Sequence, residues 1–118
     1  MSNRATRARA IAAAGLALAA AMNVAPATAG LDRLHKQAVE DGRLCMTDHH
    51  HFISSGAWPS RDMAMATATR RWESFTRTEY GRPWGSLAKA ADVTWKCSAR
   101  DSRRGPQVSC ELAARPCR

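Results

Sequence analysis

Four cysteines in a short chain constrain this sequence more than any other feature. The chain has 118 residues, and its cysteines all follow residue 44, at successive intervals of 52, 13 and 7 residues. Because no Cys-x-x-Cys pair is present, a four-thiolate metal site or a redox motif is a poor alternative to disulfides. An even number of cysteines in a small chain is typical of a disulfide-stapled exported domain. We therefore predict two disulfides among Cys45, Cys97, Cys110 and Cys117.

The amino-terminal segment has the three parts of a signal peptide. Three arginines open the chain without any acidic residue, an uncharged alanine-rich stretch covers residues 10–25, and small residues stand at Ala27 and Ala29. This pattern predicts a signal peptide over residues 1–29, cleaved between Ala29 and Gly30, and one mature domain over residues 30–118. The apolar stretch is shorter than the ~20 residues that span a bilayer. We expect a periplasmic or secreted protein with no stable membrane anchor after processing.

The charge of the mature chain limits the expected partners. The formal net charge is +8, and the three leader arginines account for three of these charges, which leaves +5 for residues 30–118. A basic surface attracts anionic partners. Because an exported protein rarely meets nucleic acid, we expect instead an envelope protein or an anionic envelope polymer, or a solvated surface with no specific partner.

Helical periodicity dominates the first part of the mature chain. Apolar spacing predicts a short helix over Leu31–Asp41, ended by Gly42, and the breakers in residues 43–59 predict a loop. A long helix is predicted between Ser60, as its N-cap, and Gly81. Its predicted apolar stripe consists of Met65, Ala68, Trp72 and Phe75, opposite Arg70, Arg71, Ser74 and Arg77.

The last third of the chain changes to the two-residue period of strands. After a further short helix predicted over residues 84–91, apolar and polar residues alternate from Val93 to Cys97 and again from Val108 to Leu112. The polar segment 100–106 between them predicts a turn. The expected fold is therefore a small single-domain α+β structure, in which amphipathic helices pack on a C-terminal antiparallel hairpin.

The hairpin bears on the disulfide pairing. A turn centred near Arg103-Arg104 places Cys97 directly opposite Cys110, at the short end of disulfide geometry. Cys45 and Cys117 then form the second bond. A one-residue slip of the turn favours Cys97–Cys117 with Cys45–Cys110, so both pairings remain open.

One series of residues supports a family resemblance. It consists of Ala68, Trp72, Phe75, Glu79-Tyr80-Gly81, Trp84, Ala90, Cys97, Cys110 and Ala114-Arg115-Pro116-Cys117. With these residues the chain resembles small exported alphaproteobacterial proteins of unknown function over most of residues 45–118. The resemblance implies a bacterial, exported, single-domain protein and carries no activity with it.

The run Asp48-His49-His50-His51 is the strongest candidate binding site. Neutral imidazoles bind zinc, copper or nickel. Because three consecutive histidines cannot all point the same way on a helix or strand, only an irregular loop could turn two of them and Asp48 toward one ion. His35 is the residue that could complete the set. The alternative is a polar loop with solvent-exposed histidines.

Motifs of catalysis are not found in the sequence. It has neither a Gly-x-Ser-x-Gly nucleophile motif nor a glycine-rich phosphate loop, so we expect no enzyme and no catalytic residues. We interpret Glu79 as a helix-end cap or an ion-pair partner of Arg82, and Trp58 as a candidate partner contact if it is exposed. The leading expectation is a non-catalytic binding or structural module of the cell envelope. The alternatives are a metal-handling protein that uses the histidine run and a basic anion-binding surface protein, and no cofactor is expected beyond that transition metal.

Overall fold

The structure is a computed structural model that describes residues 31–118. The predicted signal peptide and its cleavage site between Ala29 and Gly30 lie outside the described residues. The chain forms one α-helix, α1 (Arg61–Tyr80), and short 3-10 turns at Leu31–Leu34, Arg82–Trp84 and Leu87–Lys89. The strands are β1 (Gln37–Glu40), β2 (Arg43–Met46), β3 (His51–Trp58), β4 (Ala91–Ser102) and β5 (Gly105–Arg115).

The strands form two antiparallel sheets. β1 and β2 make a two-stranded hairpin, and the larger sheet has the order β3-β5-β4. Helix α1 lies across β3 and β5, where Trp72 and Ala68 pack against Leu112 and Ala114 of the central strand. The predicted α+β class is confirmed, with one α-helix in place of the expected several.

The predicted helix over Leu31–Asp41 is wrong. This segment is the 3-10 turn Leu31–Leu34 followed by strand β1, which turns into β2 at Asp41-Gly42. Both turn residues have positive φ, 49° and 75°. An Asp-Gly pair in a two-residue loop is the preferred chemistry of a hairpin, because glycine adopts positive φ without strain. Gly42 therefore ends a strand, not a helix.

The loop predicted over residues 43–59 is also wrong, because it contains β2 and β3. In β3 the side chains of His51, Ile53 and Ser55 face the helix, while the alternate residues are exposed. The Ser-Ser-Gly breaker coincides with a bulge between Ser54 and Ala57, where Gly56 has φ of 70°. A bulge accommodates these residues without ending the strand.

Helix α1 begins and ends where the sequence predicts. The Ser60 hydroxyl accepts a hydrogen bond from the Met63 amide at 3.2 Å, and Gly81 terminates the helix with φ of 100°. The predicted apolar stripe is correct at Ala68 and Trp72, but Phe75 is 49% exposed. The helix instead buries a row at four-residue spacing that is partly polar, made of Ala64, Ala68, Trp72, Thr76 and Tyr80.

The helix predicted over residues 84–91 is replaced by the two 3-10 turns Arg82–Trp84 and Leu87–Lys89. Gly85 lies between them, packed so tightly that an added Cβ would lie 2.1 Å from Cγ of Arg77. Trp84 is buried as expected, and Ala91 already belongs to β4. The close contact at Gly85 leaves no room there for a side chain.

Two disulfides cross-link the fold. Cys97 and Cys110 are direct cross-strand partners in the β4–β5 hairpin, which turns at Arg103-Arg104, and they are bonded to each other. Cys45 of β2 is bonded to Cys117 near the chain end. Two disulfides indicate an oxidising compartment outside the cytoplasm. Within residues 31–118, no helix is long and apolar enough to cross a membrane.

A buried arginine connects the two sheets. Arg115, at the end of β5, donates hydrogen bonds to both carboxylate oxygens of Glu40 in β1, at 2.9 and 2.6 Å. Its Nε donates to Asp92 of β4 at 2.6 Å, and a further bond reaches the Met46 carbonyl. The guanidinium therefore fixes three strands of two sheets at one point.

Candidate metal centre

His51 is the central residue of a polar cluster between β3 and α1. It is the first residue of β3, faces the helix and is only 3% exposed. Its Nδ1 lies 2.8 Å from the Thr76 hydroxyl, and its Nε2 lies 3.4 Å from the Tyr80 hydroxyl. The Tyr80 ring stacks on the imidazole with centroids 5.1 Å apart. These contacts hold the ring in one orientation, as a metal ligand requires.

Glu79 brings a carboxylate to the free side of this imidazole. Its Oε2 lies 3.0 Å from Nε2 of His51. The same oxygen is buried, and this approach to Nε2 is a close polar contact that it makes within residues 31–118. The predicted ion pair of Glu79 with Arg82 is not formed, so that interpretation is wrong. A buried carboxylate oxygen is costly unless a proton or a cation lies beside it.

His49 completes a set of three donors. One ligand atom each of His49, His51 and Glu79 lies within 4.8 Å of the other two. The centroid of the His35 ring lies 4.5 Å from that of the His49 ring. The structure therefore places His35, the residue predicted to complete the site, beside His49 of the histidine run.

The other two members of the predicted site lie elsewhere. His50 is exposed, with its ring 6.1 Å from Phe52, and Asp48 is exposed before β3. The alternation of side chains at the start of a strand separates His50 from its two neighbours. The structure therefore brings His49 and His51 together with Glu79 and leaves Asp48 apart from them.

Burial keeps the His51 imidazole neutral. It lowers the pKa of His51 to about 4, an effect that the Glu79 carboxylate opposes and that nearby His49 and His35 reinforce. Burial, together with the Glu79 carboxylate, raises the pKa of Tyr80, so the phenol stays protonated. At neutral pH His51 therefore offers a lone pair for coordination and carries no positive charge against an ion.

The Thr76 hydroxyl supports either tautomer of this neutral ring. If Nε2 carries the proton, it points toward Glu79 and Nδ1 accepts from Thr76. If Nδ1 carries the proton, it donates to Thr76, and the bare Nε2 faces the Glu79 carboxylate. In the second arrangement the protonated Tyr80 hydroxyl, 3.4 Å from Nε2, can donate to that nitrogen, and this is the arrangement that a metal selects.

The separations of the donors fit a small ion after modest side-chain movement. Zinc takes nitrogen and oxygen ligands at about 2.0–2.2 Å, which places neighbouring donors in a tetrahedron about 3.3 Å apart. The 3.0 Å between His51 and Glu79 is close to this spacing, and the other separations in the set, up to 4.8 Å, would have to close by rotation of side chains. His49 is only half-buried and Glu79 is 29% exposed, so both have room to rotate.

Trp58 was the other candidate contact residue. It ends β3, is half-buried, and its indole N–H donates to the Ser55 carbonyl at 2.7 Å. This bond closes the bulge of β3 and gives the side chain a structural role.

Comparison of the chain with models of protein families, with curated proteins and with solved structures finds no match. The resemblance to small exported alphaproteobacterial proteins therefore stays a prediction, and the site is interpreted from its own chemistry.

Proposed function

We propose that this protein is a small exported binding protein, periplasmic or secreted, that captures a divalent transition-metal ion at His49, His51 and Glu79. One observation carries the proposal. The buried Oε2 of Glu79 lies 3.0 Å from Nε2 of the buried His51, and ligand atoms of His49, His51 and Glu79 all lie within 4.8 Å of one another. A cation among these atoms satisfies all three donors.

The ligand set indicates the class of ion. Two imidazoles and one carboxylate suit zinc, copper or nickel, whereas calcium and magnesium take oxygen ligands. The hydrogen bond between Thr76 and Nδ1 of His51 is the outer contact that orients metal-bound histidines in proteins. Non-catalytic capture needs no further group, which agrees with the absence of catalytic motifs in the sequence.

Zinc titration of the untagged mature chain, residues 30–118, tests this function. We expect binding of one ion per chain that Glu79→Gln and His49→Ala weaken strongly, because each removes a donor. His50→Ala is the matched control, since His50 is an adjacent exposed histidine outside the cluster. Loss of affinity in His50→Ala equal to that in His49→Ala would show that zinc binds to the exposed histidines at large, and would overturn the proposal.

Export of the protein has its own test. Mass spectrometry of the protein from its host is expected to show an amino terminus at Gly30 and both disulfides oxidised. A chain that retains residues 1–29, with free thiols, would contradict the proposed location.

A further inference from the structure

His35 lies at the edge of the proposed metal centre. It follows the 3-10 turn Leu31–Leu34, and its half-buried ring is 4.5 Å from the ring of His49 and 5.3 Å from that of Tyr80. The sequence places it fourteen residues before His49, in a different part of the chain. Its position beside two members of the cluster therefore results from the fold.

Hydrogen bonds on both sides of His35 hold it there. On one side, the Trp84 indole N–H donates to the Asp32 carboxylate at 3.2 Å. On the other side, the Thr47 amide donates to the Lys36 carbonyl at 3.0 Å. Both anchors join this segment to the body of the fold, so His35 is presented to the cluster from a fixed backbone.

The spacing of the rings brings His35 near the same ion. Two imidazoles bound at zinc–nitrogen distances of about 2.0–2.1 Å in a tetrahedral site place their ring centroids about 5.2 Å apart. The centroids of His49 and His51 are 5.0 Å apart, and those of His35 and His49 are 4.5 Å apart. The first separation is close to that of a shared ion. The second is shorter, so the His35 ring, which is outside the set of His49, His51 and Glu79, must rotate to join it.

We propose that His35 is the fourth protein ligand, so that the metal is held in a closed set of three imidazoles and one carboxylate. This inference rests on the proposed function. The inference specifies the type of metal centre. Sites with three protein ligands keep a position for water or substrate, whereas sites with four hold the ion away from solvent. The centre is thus built to capture and retain zinc or copper, with no coordination position for hydrolysis.

A comparison of His35→Ala with wild type and with His50→Ala tests this inference on the untagged mature chain. We expect His35→Ala still to bind one zinc ion, with affinity lower by at least the 10–100-fold that loss of an outer hydrogen-bond partner produces. Release of zinc to a chelator should be faster in His35→Ala, while His50→Ala should behave as wild type.

Cobalt(II) provides a second readout that a merely structural role of His35 would not change. In cobalt-loaded His35→Ala the vacated position should accept added azide and alter the visible spectrum, whereas cobalt-loaded wild type should not respond. Equal zinc affinity and equal release rates in His35→Ala and wild type would overturn the fourth-ligand assignment alone. A wild-type chain that binds neither zinc nor cobalt would overturn the proposed function, and this assignment with it.

Discussion

Thr76 is the residue whose hydroxyl hydrogen-bonds Nδ1 of His51 in either tautomer of the ring. Its hydroxyl is buried and can donate or accept at 2.8 Å from Nδ1. A valine at this position keeps the branched shape but leaves Nδ1 without a partner. The Nδ1–H tautomer, which frees Nε2 for the ion, then loses its support.

We therefore expect Thr76→Val to lower zinc affinity by about 10–100-fold, the usual effect of losing an outer-sphere partner. Calorimetric titration of the untagged mature chain measures this change. Thr78→Val is the matched control, because Thr78 is exposed on the same helix and its hydroxyl donates only to the Ser74 carbonyl. Equal affinities of the two variants would show that the hydrogen bond from Thr76 does not support the metal-binding form of His51.

The histidines of the site were visible in the sequence, but their partners were not. A run of three histidines stands out by itself, and His35 was recognised as the residue that could join it. Thr76 is not found from the sequence because the predicted apolar stripe of α1 runs through Phe75, and Glu79 is interpreted from the sequence as a helix-end cap or an ion-pair partner of Arg82. A row at four-residue spacing from Ala64 places Thr76 and Tyr80 inward, and polar residues in such a row are the signal that could have found the site.

At the scale of elements, Trp72 fixes the helix to the sheet. It is fully buried among Ala68, Leu112 and Ala114, so it is the main apolar contact between α1 and β5. Truncation of a buried aromatic residue leaves a cavity and costs about 3–5 kcal/mol.

We expect Trp72→Ala to lower the free energy of unfolding by about 3–5 kcal/mol, measured by urea denaturation. Ser74→Ala, exposed on the same helix, should change it by less than about 0.5 kcal/mol. Arg71→Ala should fall between them, at about 1 kcal/mol, because the exposed Arg71 guanidinium donates to the Ser54 and Ser55 carbonyls. The same loss in Trp72→Ala and Ser74→Ala would mean that the helix faces the sheet with another side.

The sequence predicts correctly the long helix whose ends carry local signals. The prediction fails where contacts between residues distant in the chain determine the secondary structure. Ser60 and Gly81 bound α1 because a cap and a glycine act locally. Residues 31–41 have helical apolar spacing, yet Glu40 pairs with Arg115 and Cys45 with Cys117, contacts that draw the segment into a hairpin. Such contacts over more than 70 residues leave no local pattern, and only the Asp-Gly pair signalled the turn.

Arg115 makes the contact between the two sheets, where it binds Glu40 and Asp92, sensitive to acid. Its hydrogen bonds and charge lower the pKa of Glu40 and of Asp92 below their ordinary values of 4.5 and 3.8. A carboxylate with a lowered folded-state pKa stabilises the fold above its unfolded pKa, and this contribution is lost as the pH falls through the folded-state value.

The free energy of unfolding of wild type should therefore fall as the pH drops below about 4.5, and fall less steeply in Arg115→Met. Urea denaturation between about pH 2 and pH 7 measures both slopes. Arg104→Met, in the exposed turn of the β4–β5 hairpin, should keep the wild-type slope. Parallel pH curves for Arg115→Met and wild type would contradict the role of this junction.

At the scale of the whole molecule, the core is divided. The buried apolar residues of the described chain form three clusters: one around Trp72, one around Met46 with Tyr80 and Trp84, and one at the Cys45–Cys117 bond. A domain of about 90 residues with a divided core has little stability to spare. The two disulfides therefore supply what a larger single core would otherwise provide.

The two bonds should contribute unequally, because they close loops of different length. In the chain-entropy model, the Cys45–Cys117 bond, with a separation of 72 residues, stabilises by about 4 kcal/mol, and Cys97–Cys110, with a separation of 13, by about 3 kcal/mol. Paired Cys→Ser variants should thus show the larger loss of melting temperature for the first bond. Removal of the Cys45–Cys117 bond should also release the carboxyl-terminal residues that pair with Leu44 and Met46. If removal of Cys97–Cys110 proved more damaging, the hairpin and not the closure of the chain ends would be the main support of the fold.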